Sequence, residues 1–358
     1  MDPALLTEAE KRRAEAALLQ QARLVTMNAE AMCPGCWVMK VAGGDDTVVL
    51  GEREGECEHG GSYDIACYGQ IGKGAFGTIY RVAILAKHQP LPEHLSFVVA
   101  KCMPHVHDKP DDNNKEIRIA TAAGLVVMHG ITPLFPLVIG NTACVVGLNL
   151  ESRLGRMRQS LTRERPHPSG VIATPANVLF SEMVPGDMSF WITTARSKVQ
   201  WAWLIRHVLN AVMDMQTYLN AVHNDLHFGN ILMTSMSDVG MPLLHDFGLA
   251  LEVGPAYGAA GYVPNNERWA SSESRHQNWR LIDLLRFLGL IPGTGMYPNG
   301  KPAPSDIVSK AKETKFALQR VRGEYYNTPT SNAEYDNIIC AAIQRQAQLW
   351  LEYAQSLH

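Results

Sequence analysis

The segment His223-Asn224-Asp225-Leu226-His227-Phe228-Gly229-Asn230-Ile231-Leu232 places a carboxylate, an imidazole and an amide close together, and Asp246-Phe247-Gly248 follows sixteen residues after Asn230. Asp225 can accept the proton of an attacking hydroxyl. Asn230 and Asp246 offer two oxygen ligands of the kind Mg²⁺ takes. Together these are the groups that phosphoryl transfer requires.

Three upstream segments must position the phosphate donor for that chemistry. Gly72-Lys73-Gly74-Ala75-Phe76-Gly77-Thr78-Ile79 reads G-x-G-x-x-G followed by an apolar residue. Positions without a Cβ let a β-hairpin close over phosphates and turn backbone N–H groups toward them. By itself the motif is equally a flexible glycine turn. Phe97-Val98-Val99-Ala100-Lys101 is an apolar strand ending in a cation suited to the α- and β-phosphates. In Asn114-Lys115-Glu116-Ile117-Arg118-Ile119-Ala120, apolar residues at 117 and 120 set a helical frame on which Glu116 can reach Lys101. A solvated helix face is the plainer reading of Glu116 in isolation. The order and spacing of all five elements carry the argument, because each alone is common.

From about Tyr68 to about Leu290 the chain resembles the eukaryotic-type protein kinases. The resemblance implies an α+β bilobal fold with a small β-rich lobe and a large helical lobe. It implies a Lys101–Glu116 ion pair, Asp225 as catalytic base, and Asn230 and Asp246 as Mg²⁺ ligands. Asn177 to Met188 looks like the strand and hinge between lobes, with Ser181 at the gatekeeper position, Glu182 to Val184 facing adenine and Asp187 meeting the ribose. Gly72, Gly74, Gly77, Ile79, Val99 and Leu232 complete the implied ATP site. The implied activity is transfer of the γ-phosphoryl group to Ser or Thr hydroxyls of a protein.

Several positions depart from that family's pattern. Asn224 stands where regulated kinases usually place an arginine that binds activation-loop phosphate, and residues 249–270 contain no Ser or Thr. Activity independent of Ser/Thr phosphorylation of that loop is therefore expected, with Tyr257 and Tyr262 as its hydroxyl sites. His227 replaces the usual lysine and can donate a hydrogen bond to the transferring group, without a reliable charge at neutral pH. The Asp-Leu-His-x-Gly-Asn pattern resembles haspin-type kinases, and also small-molecule phosphotransferases acting on aminoglycosides and choline. The full glycine loop favours the protein-substrate reading; a nucleotide-binding scaffold without turnover is disfavoured by the presence of Lys101, Asp225, Asn230 and Asp246. Ser274 to Trp279 looks like the start of the central helix of casein-kinase-like and vaccinia-related kinases. Asn278 occupies their Asp position, and Asp283 is a rival for its role. Val99 is larger than the alanine usual above adenine. The divergent motifs and long insertions are similar to those of kinases carried by large DNA viruses.

Ahead of this region, Thr7-x-x-Glu10 is a capping box and residues 9–24 are rich in helix formers. Cys33-Pro34-Gly35-Cys36 and Cys57-Glu58-His59 flank a hairpin-like stretch. Cys33, Cys36, Cys57 and His59 would close a tetrahedral Zn²⁺ site, with Cys67 as a substitute; idle thiols in a reducing compartment are the alternative. The expected organisation is a helix plus Cys-containing module over 1–67, a small lobe over 68–184 with a basic insertion at about 150–172, and a large lobe over 185–358.

Composition agrees with one catalytic module. With 46% hydrophobic residues, 358 residues suffice for a two-lobed domain and an accessory piece. A net charge of −3 gives no general attraction to nucleic acid. The local exception is the basic run from Arg153 to Arg165, read as an exposed loop or a docking site for an acidic partner. No eighteen-residue apolar run and no signal-like N-terminus occur, so an intracellular protein, cytoplasmic or nuclear and without a membrane anchor, is expected. Seven cysteines, an odd number, argue against a secreted disulfide framework. Residues 200–222 read as one helix, 292–304 as loop, and 305–357 as two or three helices.

Overall fold

Period-two burial marks the strand that carries Lys101. In the computed structural model, which describes residues 63–73, 77–86, 97–105, 111–149, 171–237, 240–252, 275–325 and 332–357, Val98, Ala100 and Cys102 are buried while Val99 and Lys101 are less so. Such alternation makes a strand with one apolar face. Five strands form an antiparallel sheet: β1 (Tyr63–Lys73), β2 (Thr78–Ala86), β3 (Phe97–Pro104), β4 (Val138–Asn149) and β5 (Val171–Glu182), in the order β1-β2-β3-β5-β4. Register aligns Tyr80 with Ala100 and Phe180, Val82 with Val98, and Cys102 with Val178, so the buried side chains share one face. Burying each of the larger ones contributes on the order of 2 kcal/mol.

Helix α1 (Asp111–Met128) belongs to the same unit. Its buried stripe is Glu116, Ile119, Ala120, Ala123 and Val127, at the three- and four-residue spacing of a helix face. The helix comes close to β4 because Gly124 has no side chain: a Cβ there would sit 2.9 Å from the Val138 nitrogen.

The second unit comprises residues 130–136 and the described residues from 184 onward. It holds β6 (Gly186–Asp187), the short α2 (Met188–Trp191), α3 (Lys198–Tyr218), β7 (Ala221–Val222), β8 (Ile231–Met233), β9 (Pro242–Leu244), β10 (Leu251–Glu252), α4 (Arg275–Leu290), α5 (Ser305–Tyr325) and α6 (Asn332–Ser356). β6, β8 and β9 form one small sheet and β7 pairs with β10. The class is α+β, and none of the described helices is long and apolar enough to cross a membrane.

Helix α3 starts at a full capping box. The Ser197 hydroxyl accepts from Gln200 N at 3.2 Å while Gln200 Oε1 accepts from Ser197 N at 2.9 Å. It ends four residues earlier than its apolar pattern suggests. Leu219 caps it, Asn220 turns to φ 48°, and Ala221–Val222 continue as β7 instead. Periodicity missed this because a buried two-residue strand is as apolar as a helix end. Ile291–Met296, expected as loop, forms a 3₁₀ helix with Pro292 near its start. Trp201, Trp203 and Trp350 are core residues, and Trp350 Nε1 donates to Thr314 Oγ1 at 3.0 Å.

Candidate active site

The sheet unit gathers one group of candidate residues on the face opposite its apolar core. Register sets Ile79 beside Lys101 and Leu179, Arg81 beside Val99 and Ser181, and Gly72 beside Ile79. Partners in an antiparallel pair project from the same face. Gly72, Ile79, Val99, Lys101 and Ser181 therefore share one surface. Gly77 has its own requirement: a Cβ would stand 2.4 Å from the Cys102 carbonyl oxygen, so only glycine permits this approach of β2 to β3.

Lys101 Nζ pairs with Glu116 Oε1 at 2.5 Å, the carboxylate being almost fully buried. A carboxylate in an apolar stripe needs such a partner, since an unpaired buried charge costs several kcal/mol. The pair fixes an otherwise flexible lysine. Glu182 is likewise engaged inside the unit: its Oε1 accepts from Leu137 N at 2.7 Å and its own N–H donates to Leu137 O at 2.9 Å.

The helical unit holds the other group. The loop from His223 to Asn230 is fixed from below by Asp283 on α4, whose carboxylate accepts from His223 N at 2.7 Å and from Asn224 N at 2.9 Å. Asp283 takes this role with charge assistance, in place of the amide of Asn278. Full burial pushes the Asp283 carboxyl up, against the opposing pull of His223, the two N–H donors and Arg286. His223 Nε2 lies 2.8 Å from His245 O, and its ring meets Phe247, which in turn meets Phe135 edge-on at 6.4 Å. The loop, the Phe247 segment and residues 130–136 are thus packed as one block.

Asp225 projects from this loop with its side chain 28% exposed. Asn230 Nδ2 donates to the Asp225 carbonyl at 2.9 Å and reaches Oδ2 at 3.4 Å. His227 Nε2 lies 3.6 Å from Oδ2, a charge contact longer than a hydrogen bond, while Arg286 Nη1 lies 3.0 Å from Oδ1. Partial burial pushes Asp225 up, but His227, Arg286 and His223 outweigh it and hold the carboxyl below its ordinary range. His227 Nδ1 accepts from Gly229 N at 3.1 Å, which leaves the ring proton on Nε2 in the neutral form.

The β8–β9 pairing brings Asn230 and Asp246 to the same end of the hairpin. Ile231 opposes Leu244, His245 N donates to Asn230 O at 3.2 Å and His245 Nε2 lies 3.0 Å from Gly229 O. Asp246 adopts a left-handed backbone, φ 63° and ψ 69°, and its side chain does not cap the 3₁₀ turn Phe247–Leu249 that follows. Such a conformation costs about 1–2 kcal/mol and is held by its surroundings. Among the described residues no group of three or more His, Cys, Asp or Glu could hold a metal alone. A pair of hard oxygen donors nevertheless suits Mg²⁺, which commonly takes one or two protein ligands and fills its octahedron with water and phosphate.

Asp187 caps α2, its Oδ1 accepting from Phe190 N at 2.9 Å, and Leu232 on β8 pairs with it in register. Val184 is half-buried in the helical unit. Gly74, the candidate zinc ligands Cys33, Cys36, Cys57 and His59, the basic run Arg153 to Arg165, the helix expected over residues 9–24, and Tyr257 and Tyr262 lie outside the described residues. Cys67 lies on β1 opposite Val82.

Two contacts had no signal in the sequence. Arg286 reaches Asp225, and Asn224 Nδ2 donates to Leu249 O at 3.2 Å, joining the loop to the segment after Gly248. No local motif marks a lone arginine on a helix or the carbonyl that an amide will meet. No protein-family model matches the chain, and no curated protein matches it.

Proposed function

We propose that the chain is an ATP-dependent protein kinase of the eukaryotic type, a bilobal enzyme that phosphorylates Ser or Thr hydroxyls of proteins. The observation that carries this reading is the fixed loop from His223 to Asn230. Asp283 and Asn230 hold its backbone, and a partly exposed Asp225 carboxylate sits beside Asn230. The separate Lys101–Glu116 pair on the sheet unit supports it, because a fixed lysine on a glycine-bounded strand face suits di- and triphosphate binding.

In this mechanism Asp225 accepts a hydrogen bond from the acceptor hydroxyl and aims its oxygen at the γ-phosphorus. A new O–P bond forms as the bond from the γ-phosphorus to the β–γ bridging oxygen breaks. ADP leaves with that electron pair, and the hydroxyl proton passes to Asp225. Lys101, held by Glu116, receives the α- and β-phosphates beneath the loop of Gly72, Gly74 and Gly77. The family resemblance assigns adenine and ribose to Ile79, Val99, Ser181 and Glu182 on the sheet unit and to Val184, Asp187 and Leu232 on the helical unit. Asn230 and Asp246 would hold Mg²⁺, which would supply positive charge to the phosphates. His227 presents its Nε2–H beside Asp225, as the donor to the group in transfer.

The test is incubation of the full chain with γ-labelled Mg-ATP and a cell lysate, with a panel of amino sugars and amino alcohols in parallel. Label on protein Ser or Thr supports the proposal. Label confined to small molecules moves the chain to the small-molecule phosphotransferases, and label nowhere contradicts phosphoryl transfer altogether.

A further inference from the structure

Arg286 is a charge that the mechanism above does not use. It lies on α4 one turn beyond Asp283, so the two project from the same side of the helix. Asp283 is buried and fixes the loop backbone, whereas the Arg286 side chain is 47% exposed and meets Asp225 Oδ1 at 3.0 Å. An ion pair this exposed adds little to stability, too little to explain its position. A cation against a catalytic base also works against basicity. At 3.0 Å the guanidinium occupies Asp225 Oδ1, an oxygen that an acceptor hydroxyl would otherwise approach. Its placement makes sense if the acceptor itself brings a negative charge.

The surroundings of Arg286 fit that requirement. Asp225 occupies one edge of a guanidinium that carries five N–H donors in a planar fork, a shape matched to carboxylate and phosphate. Tyr297 stands close enough to feel the Arg286 charge, and its ring packs on Phe228 with centroids 5.0 Å apart. Burial raises the Tyr297 phenol, with Arg286 pulling the other way, so the hydroxyl stays protonated and able to donate. Any hydroxyl delivered to Asp225 arrives within a side chain's length of this pair.

Resting on the kinase reading, we infer that Arg286 is a specificity-determining residue that selects acceptors carrying an anion, a carboxylate or a phosphate, within a few residues of the reacting Ser or Thr. On binding, the guanidinium passes from Asp225 Oδ1 to the acceptor's anion, with the Tyr297 hydroxyl as a second donor. The exchange frees Asp225 Oδ1 for the hydroxyl. An acceptor without the anion leaves Arg286 on the base.

The experiment maps phosphorylation sites made in a lysate by the wild-type chain and by Arg286→Gln, with and without prior phosphatase treatment of the lysate. A peptide spanning the strongest wild-type site is then compared with one in which its flanking anion is replaced by Gln. The expected result is enrichment of Asp, Glu or phosphorylated residues near wild-type sites and a rise in KM of about tenfold for the neutral peptide. In Arg286→Gln the ratio of kcat/KM for the two peptides falls to within about twofold, whatever the absolute rate. Phosphatase treatment removes the preference if the anion is phosphate and leaves it if it is carboxylate. Absence of enrichment in the wild type, or its persistence in Arg286→Gln, overturns the inference while leaving the kinase reading intact. Absence of any transfer, with melting behaviour normal in both proteins, removes that reading and this inference with it.

Discussion

The Asn224 side chain donates from Nδ2 to the main-chain carbonyl of Leu249 at 3.2 Å. A neutral amide thus ties the loop from His223 to Asn230 to the segment after Gly248 without any phosphate. Asn224 also holds a left-handed backbone, φ 61°, which Asn adopts more readily than other non-glycine residues. Two variants separate these contributions. Asn224→Ala should lose about 1–2 kcal/mol and most of its turnover, whereas Asn224→Gly keeps the backbone geometry and loses mainly turnover. Phosphatase treatment of the purified wild type should leave its rate unchanged. Wild-type kcat in both variants would show that the tether has no role.

Asp283 is expected to be the costliest residue to remove from α4. Asp283→Ala leaves the N–H groups of His223 and Asn224 buried without an acceptor, at about 1–3 kcal/mol each. Asp283→Asn can accept only one of them well and should fall in between. Urea unfolding of the three proteins measures the order. A fully stable Asp283→Ala would mean that the loop finds other acceptors.

Gly77→Ala tests whether the glycine-rich segment is shaped by packing as well as by ligand. Its new Cβ would meet backbone at 2.4 Å, so β2 must move away from β3. A loss of about 1–3 kcal/mol, together with weaker protection by Mg-ATP in thermal melting, is expected. Gly72→Ala, whose nearest described neighbour is the Ile79 side chain at 3.4 Å, should be milder in stability. Equal stability losses in the two would contradict the packing account.

Much of this was legible in the sequence because it is local. The apolar run from Phe97 to Ala100 marks a strand ending in the cation Lys101. Ile117 and Ala120 mark the helical frame that carries Glu116, although the buried stripe beside it is Ile119, Ala120 and Ala123, with Ile117 only half-buried. What was not legible depends on three dimensions. Asn278 and Asp283 both lie on α4, and only the approach of that helix to His223 decides between them. The insertion of β5 between β3 and β4 leaves no mark on either strand. Arg286 has no local signature, since its meaning comes wholly from Asp225.

The pH dependence of stability should carry the mark of His207. It is buried in α3, stacked on Trp203 with centroids 5.9 Å apart, and its Nε2 has no hydrogen-bond partner among the described residues. Burial first, and the Arg206 charge second, lower its pKa to about 3. Between that value and the ordinary value of 6.5 the unfolded chain binds a proton that the folded chain does not. Stability from this residue is therefore present above about pH 6.5 and lost as pH falls, by up to about 1.4 kcal/mol per unit. His207→Phe should show a shallower decline in urea unfolding at pH 7, 6 and 5. Parallel declines would mean that other groups govern acid unfolding.

The central claim is that Asp225 activates the acceptor for phosphoryl transfer from ATP. The most direct test compares wild type with Asp225→Asn in two assays on the same preparations, binding of Mg-ATP and transfer of its γ-phosphoryl group to protein. The account predicts nucleotide affinity within about threefold and transfer reduced by about 10²-fold or more. Undiminished transfer by Asp225→Asn would contradict it.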